Sequence, residues 1–550
     1  MNKQKKYDIW TFLTLGALLI YILFMIYPLF NLFLSSIIDK ETHSFSLQYF
    51  KKFFSKRYYY NTVFNSFKVT FCVTVCAIIV ATPLAYIMET CKIRGSGAIR
   101  IIILLSSMSA PFIGAYSWIL LLGRNGAITN FMKNTFSIKI PDIYGFGGIV
   151  LVLTLQLVPL IFMYVSGALK NVDNSLIEAA ESMGCTGVKL MWRVIVPLIV
   201  PTILAGGILV FMRALSDFGT PMLIGEGYKT IPVLIYTEFM GENGGDDGFA
   251  AAISILVIIL ALLAFLVQKF FANKLSYSMS ALHPITPKKL TGIKNILAHA
   301  LMYIYCLLAI LPQISILINS FRKTSGMIFK KGFALTSYKI AFSRMNVAIK
   351  NTFIYAFVAI FIIVVIAVII SYATVRRRNI FTNLIDLITM MPYIIPGSIL
   401  AICTVTSFNK KPLVLTGTAI IMIVMFVIKR MPYTVRSSSA ILRNISISTE
   451  EAALSLGASS IKTFIKVTAP MMFSGVISGA IMSFITIITE LSCSVMMYTG
   501  RTKTMTVAIY SEVVRGNYGV ASALAVILNT CVILSVLLIF KITGKKELSI

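Results

Sequence analysis

EAAESMGCTGVKLMWRVIVP runs from Glu178 to Pro197, and EAALSLGASSIKTFIKVTAP runs from Glu451 to Pro470. Each opens on Glu-Ala-Ala, places a glycine six residues after the glutamate (Gly184, Gly457) and closes on proline (Pro197, Pro470). The two lie 451 − 178 = 273 residues apart, about half of a 550-residue chain. One polar signature kept twice in apolar surroundings indicates a chain built from two copies of one unit.

Other landmarks recur in the same order. NSFKVTFCVTVCAIIVATPLAYIM from Asn65 aligns with NTFIYAFVAIFIIVVIAVIISYAT from Asn351, and FSLQYFKKFF from Phe45 aligns with FALTSYKIAF from Phe333. KTIPVLIYTEF from Lys229 matches KTMTVAIYSEV from Lys503. Apolar similarity alone is common in membrane chains, but ordered polar landmarks are not, so this is a tandem duplication. The expected organisation is a first repeat over 1–271, a linker over 272–295 and a second repeat over 296–550. The linker carries two prolines and several lysines without apolar periodicity, as an aqueous connection does.

Hydrophobic residues make up 58% of the chain and charged residues only 13%, with a mean hydropathy of +0.88. Globular domains carry roughly 25% charged residues, so the class is a membrane protein. Continuous apolar runs of roughly 18 residues or more recur, each able to cross the bilayer as a helix. They include 10–34, 296–320 and 413–429, and they are too long and unbroken for the alternating strands of a barrel. The expected fold is all-α and polytopic, with about twelve transmembrane helices, six per repeat. An even number gives both repeats one orientation, so they are parallel and related by an axis along the membrane normal. The apolar run from Trp10 to Leu34 exceeds a signal-peptide core and lacks a small-x-small cleavage site, so an uncleaved first helix is expected.

The formal net charge of +29 does not point to nucleic acid. No basic domain stands outside the apolar runs, and short basic loops suit anionic headgroups. The eight cysteines and the histidines His43, His283 and His299 are scattered. They form no HExxH or paired CxxC pattern, so neither a metal, a cofactor nor a disulfide is expected. No constellation of His, Cys and carboxylate suggests an enzyme.

Ser175 precedes Glu178 in S-L-I-E, and Ser448 precedes Glu451 in S-T-E-E. Both read as capping boxes, with Ser175 and Ser448 as the helix caps. Ala179-Ala180 and Ala452-Ala453 favour helix and present a small surface. Gly184 and Gly457 suit a turn at positive φ, and the prolines mark the start of the next membrane helix. Two equivalent short helices on one face imply a partner with two equivalent grooves.

With both motifs in view, the chain resembles the permease of a type I bacterial importer of the ATP-binding-cassette class, with the MetI-like fold. The first ending, Val194-Ile195-Val196-Pro197, follows the family pattern, while Val467-Thr468-Ala469-Pro470 has Ala in place of the usual Leu. The resemblance implies that Glu178, Ala179, Ala180 and Gly184 form one coupling helix and that Glu451, Ala452, Ala453 and Gly457 form the other. Each would dock on one copy of a separate ATPase subunit. The chain contains no GxxxxGK[ST] phosphate loop, since its one Gly-Lys pair, Gly544-Lys545, lacks the upstream glycine. The resemblance further implies an extracytoplasmic substrate-binding protein and a multi-pass location in the bacterial cytoplasmic membrane. The basic N-terminus, linker, Arg376-Arg377-Arg378 and Lys545-Lys546 place both termini on the cytoplasmic side.

Beyond each motif the next helix ends in a carboxylate, Asp217 in ALSDFGTP and Glu490 in ITELSCSV, again 490 − 217 = 273 residues apart. Acidic groups near a span face a cavity or a partner. They are candidates for a paired gate, set against simple satisfaction by backbone amides or Arg213. Fused permeases of this pattern resemble the ferric-iron branch, with relatives that import thiamine or 2-aminoethylphosphonate. Basic outer segments (Lys51, Lys52, Lys56, Arg57 and Lys330, Lys331, Lys339) suit either the binding protein or lipid headgroups. The rival class is an ion-coupled secondary transporter. It would place several ionisable groups within its spans, where this chain has chiefly Asp217, Asp386 and Glu490.

Overall fold

The structure is a computed structural model and describes residues 9–39, 42–108, 110–241, 246–274, 285–325 and 328–543. His283, part of the 272–295 linker, and the basic ends with Lys3, Lys5, Lys6, Lys545 and Lys546 lie outside these residues. Helices dominate. Those used below are α1 (Ile9–Ile37), α2 (Arg57–Thr90), α3 (Phe146–Lys170), α4 (Asn174–Ser182), α5 (Met191–Leu215) and α6 (Asp247–Val267). The second series is α7 (Gly292–Phe321), α8 (Asn346–Arg376), α9 (Ala419–Asn444), α10 (Ile447–Ser455), α11 (Ser460–Ile488) and α12 (Tyr518–Ile539). A two-stranded antiparallel hairpin, Arg322–Ser325 with Ile328–Phe333, is the only sheet among the described residues.

Among the described residues nine helices are long and apolar enough to cross a membrane, or eleven if each of two bent pairs is one span. The pairs are Ser96–Ser107 with Phe112–Phe136 and Ile380–Ile394 with Gly397–Ser407. The run expected at 413–429 overlaps only the first part of α9, which begins at Ala419, is 26 residues long and so about 39 Å, and is not among these candidate spans. Lys429, Arg430, Arg436 and Arg443 give it a charged second half and set it apart from the purely apolar helices.

The described chain divides into two compact units, each containing both early and late sequence. One holds residues 56–234 and 259–319, and its core is the packing of α2, α3 and α5 on one another. Along α2, Val69, Val73, Ala77, Ala81, Leu84 and Met88 are buried at helical spacing. Phe64, Phe71 and Ile79 stand exposed on another face, as lipid contact requires. Fifteen of the 25 residues of α3 are buried, which makes it the interior helix. Against this core packs α7, through Ala298, Met302, Tyr305, Cys306 and Ala309.

The other unit holds the described residues within 1–55, 235–258 and 320–548. Its core is α8, α9 and α11, and the helix packed on it is α1, the leading helix of the first repeat. Thus the compact units are not the sequence repeats. Each repeat's central helices carry the leading helix of the other repeat.

The duplicated landmarks are bonded alike in both units. Asn65 Nδ2 donates to the Lys229 carbonyl (3.0 Å), and Ser66 Oγ accepts from the Ile231 amide (2.8 Å). Asn351 Nδ2 donates to the Lys503 carbonyl (3.1 Å), and Thr352 Oγ1 accepts from the Met505 amide (2.7 Å). Ordered polar landmarks recur because each buries hydrogen-bonding groups that lipid cannot satisfy.

Candidate functional site

Both motifs form a short helix ending in a left-handed glycine. In α4 the cap is Asp173, whose carboxylate accepts from the Ser175 amide (3.0 Å) and the Ser175 hydroxyl (2.8 Å). In α10 the cap is Ser446, which accepts from the Ser448 amide (3.3 Å). Ser175 and Ser448 are therefore second residues of their helices rather than caps, and the expected boxes are displaced by two positions. From caps at 173 and 446, Glu178 and Glu451 fall in the second turn, too far along to reach back. Glu178 instead accepts from Asn174 Nδ2 (2.6 Å). The corrected caps keep the repeat, since 446 − 173 = 273.

The far ends match as well. Gly184 has φ 78° and Gly457 φ 84°. The Cys185 amide bonds to the Ala180 carbonyl (2.9 Å) and the Ala458 amide to the Ala453 carbonyl (3.1 Å). This closes each helix with a Schellman turn. Immediately before each glycine an apolar side chain stands almost fully exposed, Met183 at 81% and Leu456 at 90%. Beside these tips Glu178, Ala179, Glu451 and Ala452 are exposed, Ala453 is half-buried and Ala180 is buried in the core.

After each motif the chain re-enters a membrane helix through a π-helical turn, Met191–Ile195 and Phe464–Thr468. The Val196 amide reaches the Met191 carbonyl, and the Ala469 amide reaches Phe464. The widened turn accommodates Pro197 and Pro470, which have no N–H to donate.

The two helices are anchored differently. On α4, Ile177 and Ala180 pack into the core, and Glu181 pairs with Lys288 (2.9 Å) at an exposed site. On α10, Glu450 is buried and accepts from Arg376 Nε (2.9 Å) and the Tyr372 hydroxyl (3.1 Å), while Arg376 also donates to the Ile445 carbonyl (2.6 Å). Trp10, Tyr372 and Phe464 form an aromatic triangle with centroids 4.3–4.8 Å apart, and Trp10 Nε1 donates to Ser460 Oγ (3.3 Å). Glu450 and Arg376 escaped the sequence reading as a pair. The available signal was that Glu450 stands where the first copy has Ile177.

The two carboxylates share one backbone role. Asp217 Oδ1 accepts from the Thr220 amide (2.9 Å), and Glu490 Oε1 accepts from the Cys493 amide (3.1 Å). Glu490 additionally pairs with Lys429 (3.0 Å) and Arg430, with Cys493 Sγ donating to the Gly397 carbonyl (3.1 Å) beside them. Cations Lys429 and Arg430 correspond to Gln156 and Leu157 in the first copy, and no described Lys or Arg pairs with Asp217. Asp386, elsewhere on a bent pair, meets Arg436 at 3.3 Å. Of the basic residues expected on the outer side, Lys52 pairs with Asp246 (3.0 Å), while Lys330 and Lys331 lie exposed on the hairpin.

Residues 11–277 and 363–546 match the family described as binding-protein-dependent transport system inner membrane component. The chain belongs to this family. It is thus the membrane-spanning permease of an importer of the ATP-binding-cassette class. The permease is 28% identical over 545 residues to the ferric transport system permease protein FbpB of Actinobacillus pleuropneumoniae, covering 96% of this chain and 77% of that relative. A putative ferric transport permease, FbpB 1, of Haemophilus influenzae is 26% identical, covering 89% and 78%. A putative 2-aminoethylphosphonate permease, PhnU, of Salmonella typhimurium is 26% identical over 30% of this chain and 58% of its own.

Proposed function

We propose that this permease forms the translocation pathway for ferric iron and is driven by two ATPase subunits, one docked on α4 and one on α10. The observation that carries the docking is the pair of capped helices, 273 residues apart, each ending in an exposed apolar side chain. Met183 and Leu456 are too apolar to favour water, and a groove on a partner would cover them. Glu178, Ala179, Ala180 and Gly184 form the first contact segment, with Glu451, Ala452, Ala453 and Gly457 the second. In this reading ATP hydrolysis resides on the partner chains, because the permease has no phosphate loop, and α4, α10 and both termini face the cytoplasm. A substrate-binding protein delivers cargo on the opposite side. Asp217 and Glu490 shape the chain segments that follow α5 and α11.

Ferric iron is supported by similarity to ferric permeases along nearly the whole chain, against less than a third for the 2-aminoethylphosphonate relative. The sequence repeats 1–271 and 296–550 are the two halves of the pathway, joined by the 272–295 linker. The test combines Met183→Asp with Leu456→Asp in the assembled transporter. The expected result is loss of ATPase co-purification and at least about a 10-fold drop in ATP-dependent ferric uptake into proteoliposomes, because a buried unpaired carboxylate is costly. Undiminished co-purification and uptake would remove the docking assignment. Uptake that survives ATP depletion but collapses with an ion gradient would restore the secondary-transporter reading.

A further inference from the structure

We propose that a basic cleft beside the first motif binds the phosphate of an anionic lipid. The cleft, about 400 Å³, lies between the loop after α2 and the beginning of α7. Lys92, Arg94, Lys289, Asn295 and His299 line it together with the apolar Ile93 and Leu290. Among the described residues no carboxylate contributes. The neighbouring Lys288 is neutralised by Glu181, but no described Asp or Glu pairs with Lys92, Arg94 or Lys289.

The cleft is a built site rather than a chance meeting of lysines. The Lys288 amide donates to the Thr90 carbonyl (2.9 Å), and the Lys92 amide to the Lys288 carbonyl (3.0 Å). His299 Nε2 accepts from the Arg94 amide (3.1 Å), and the Tyr303 hydroxyl donates to the Arg94 carbonyl (3.0 Å). With Nε2 accepting, the ring proton sits on Nδ1 and donates to the Asn295 carbonyl (2.9 Å). His299 is therefore a neutral strut, and the charge comes from three cations on a cross-braced backbone.

Depth identifies the source of the phosphate. Apolar helix α2 ends at Thr90 and α7 begins at Gly292, so the cleft opens at the ends of two helices able to span the membrane. From that point Ile293, Ile296, Leu297 and Leu301 of α7 are exposed and line an outward path for acyl chains. The first-turn amides of α7 add positive potential at the same place. Basic pockets between membrane helices take anionic headgroups on this basis, and a free phosphate ion would have no use for the apolar strip. Lys288 links the cleft's bracing to Glu181 on α4, so an occupied cleft would stiffen the base of that helix. The inference rests on the membrane-spanning reading and is independent of the cargo.

The test is native mass spectrometry of the full transporter released from nanodiscs of 1:1 phosphatidylglycerol and phosphatidylcholine. The wild type is expected to retain phosphatidylglycerol, and the triple variant Lys92→Gln, Arg94→Gln, Lys289→Gln to lose it by at least about 10-fold. The control triple variant Lys330→Gln, Lys331→Gln, Lys339→Gln should retain it. Equal retention by the two variants would overturn the proposal, and so would saturation by inorganic phosphate without preference for the lipid. Should the triple variant fail to fold, amine-reactive labelling of wild-type Lys92 and Lys289 decides. Protection in phosphatidylglycerol vesicles but not in phosphatidylcholine vesicles supports the site, and equal labelling sinks it.

Discussion

Glu450 and Ile177 occupy one position of the repeat, 450 − 177 = 273, yet one is a buried carboxylate and the other a core aliphatic. Removing one member of a buried ion pair strands its partner and costs about 3–5 kcal/mol, whereas replacing both with apolar residues of similar volume is often near neutral. Glu450→Ala should therefore lower the thermal unfolding temperature of the assembled transporter clearly, and Glu450→Met with Arg376→Met should recover much of it. The same logic separates the two motif-linked carboxylates. Asp217→Asn keeps an oxygen for the Thr220 amide and should cost about 1 kcal/mol or less. Glu490→Gln leaves Lys429 and Arg430 without their counter-charge, and a loss of about 3–5 kcal/mol is expected. Equal unfolding temperatures for these two variants would contradict this asymmetry. The sequence pointed to both carboxylates through their spacing. It did not reveal Lys429 and Arg430 as partners, because pairing across helices leaves no local period.

At the scale of elements, the caps can be resolved by exchange. Asp173→Ala removes the acceptor of the Ser175 amide, and losing a cap costs about 0.5–2 kcal/mol. Amides of α4 should exchange roughly 10-fold faster by hydrogen–deuterium mass spectrometry, while Ser175→Ala should change them little. Faster exchange in the serine variant alone would reinstate Ser175 as the cap. The short helices were legible from Glu-Ala-Ala and glycine, and φ at Gly184 and Gly457 followed. Their starts were not, because Ser175 and Asp173 are both good caps and S-x-x-E favoured the later one. The spacing could not arbitrate, since 173 and 446 are also 273 apart. The π turns before Pro197 and Pro470 lie beyond propensity altogether. They answer to the missing proline N–H and the packing of the helix that follows.

For the whole molecule, duplication was written in ordered polar landmarks, and membrane class in composition. The exchange of α1 and α7 between repeats was not, since an apolar helix suits many neighbours and its sequence names none. A chain cut within the 275–284 segment and co-expressed as two fragments should still copurify, because α1 packs on α8 and α7 packs on the core of α2, α3 and α5. Deleting α1 from the first fragment should sharply reduce recovery of the second, and unaffected recovery would show that the exchanged helices contribute little. The unequal footing of α4 and α10 also matters at this scale. Lys288 and Glu181 meet in the open, 57% and 35% exposed, while Arg376 and Glu450 are shut away at 8% and 10%. Mobile ions weaken the former and barely reach the latter. Brine would therefore loosen one shoulder of the machine and leave the other stiff, a lopsidedness open to a fused chain but closed to a pump assembled from identical halves.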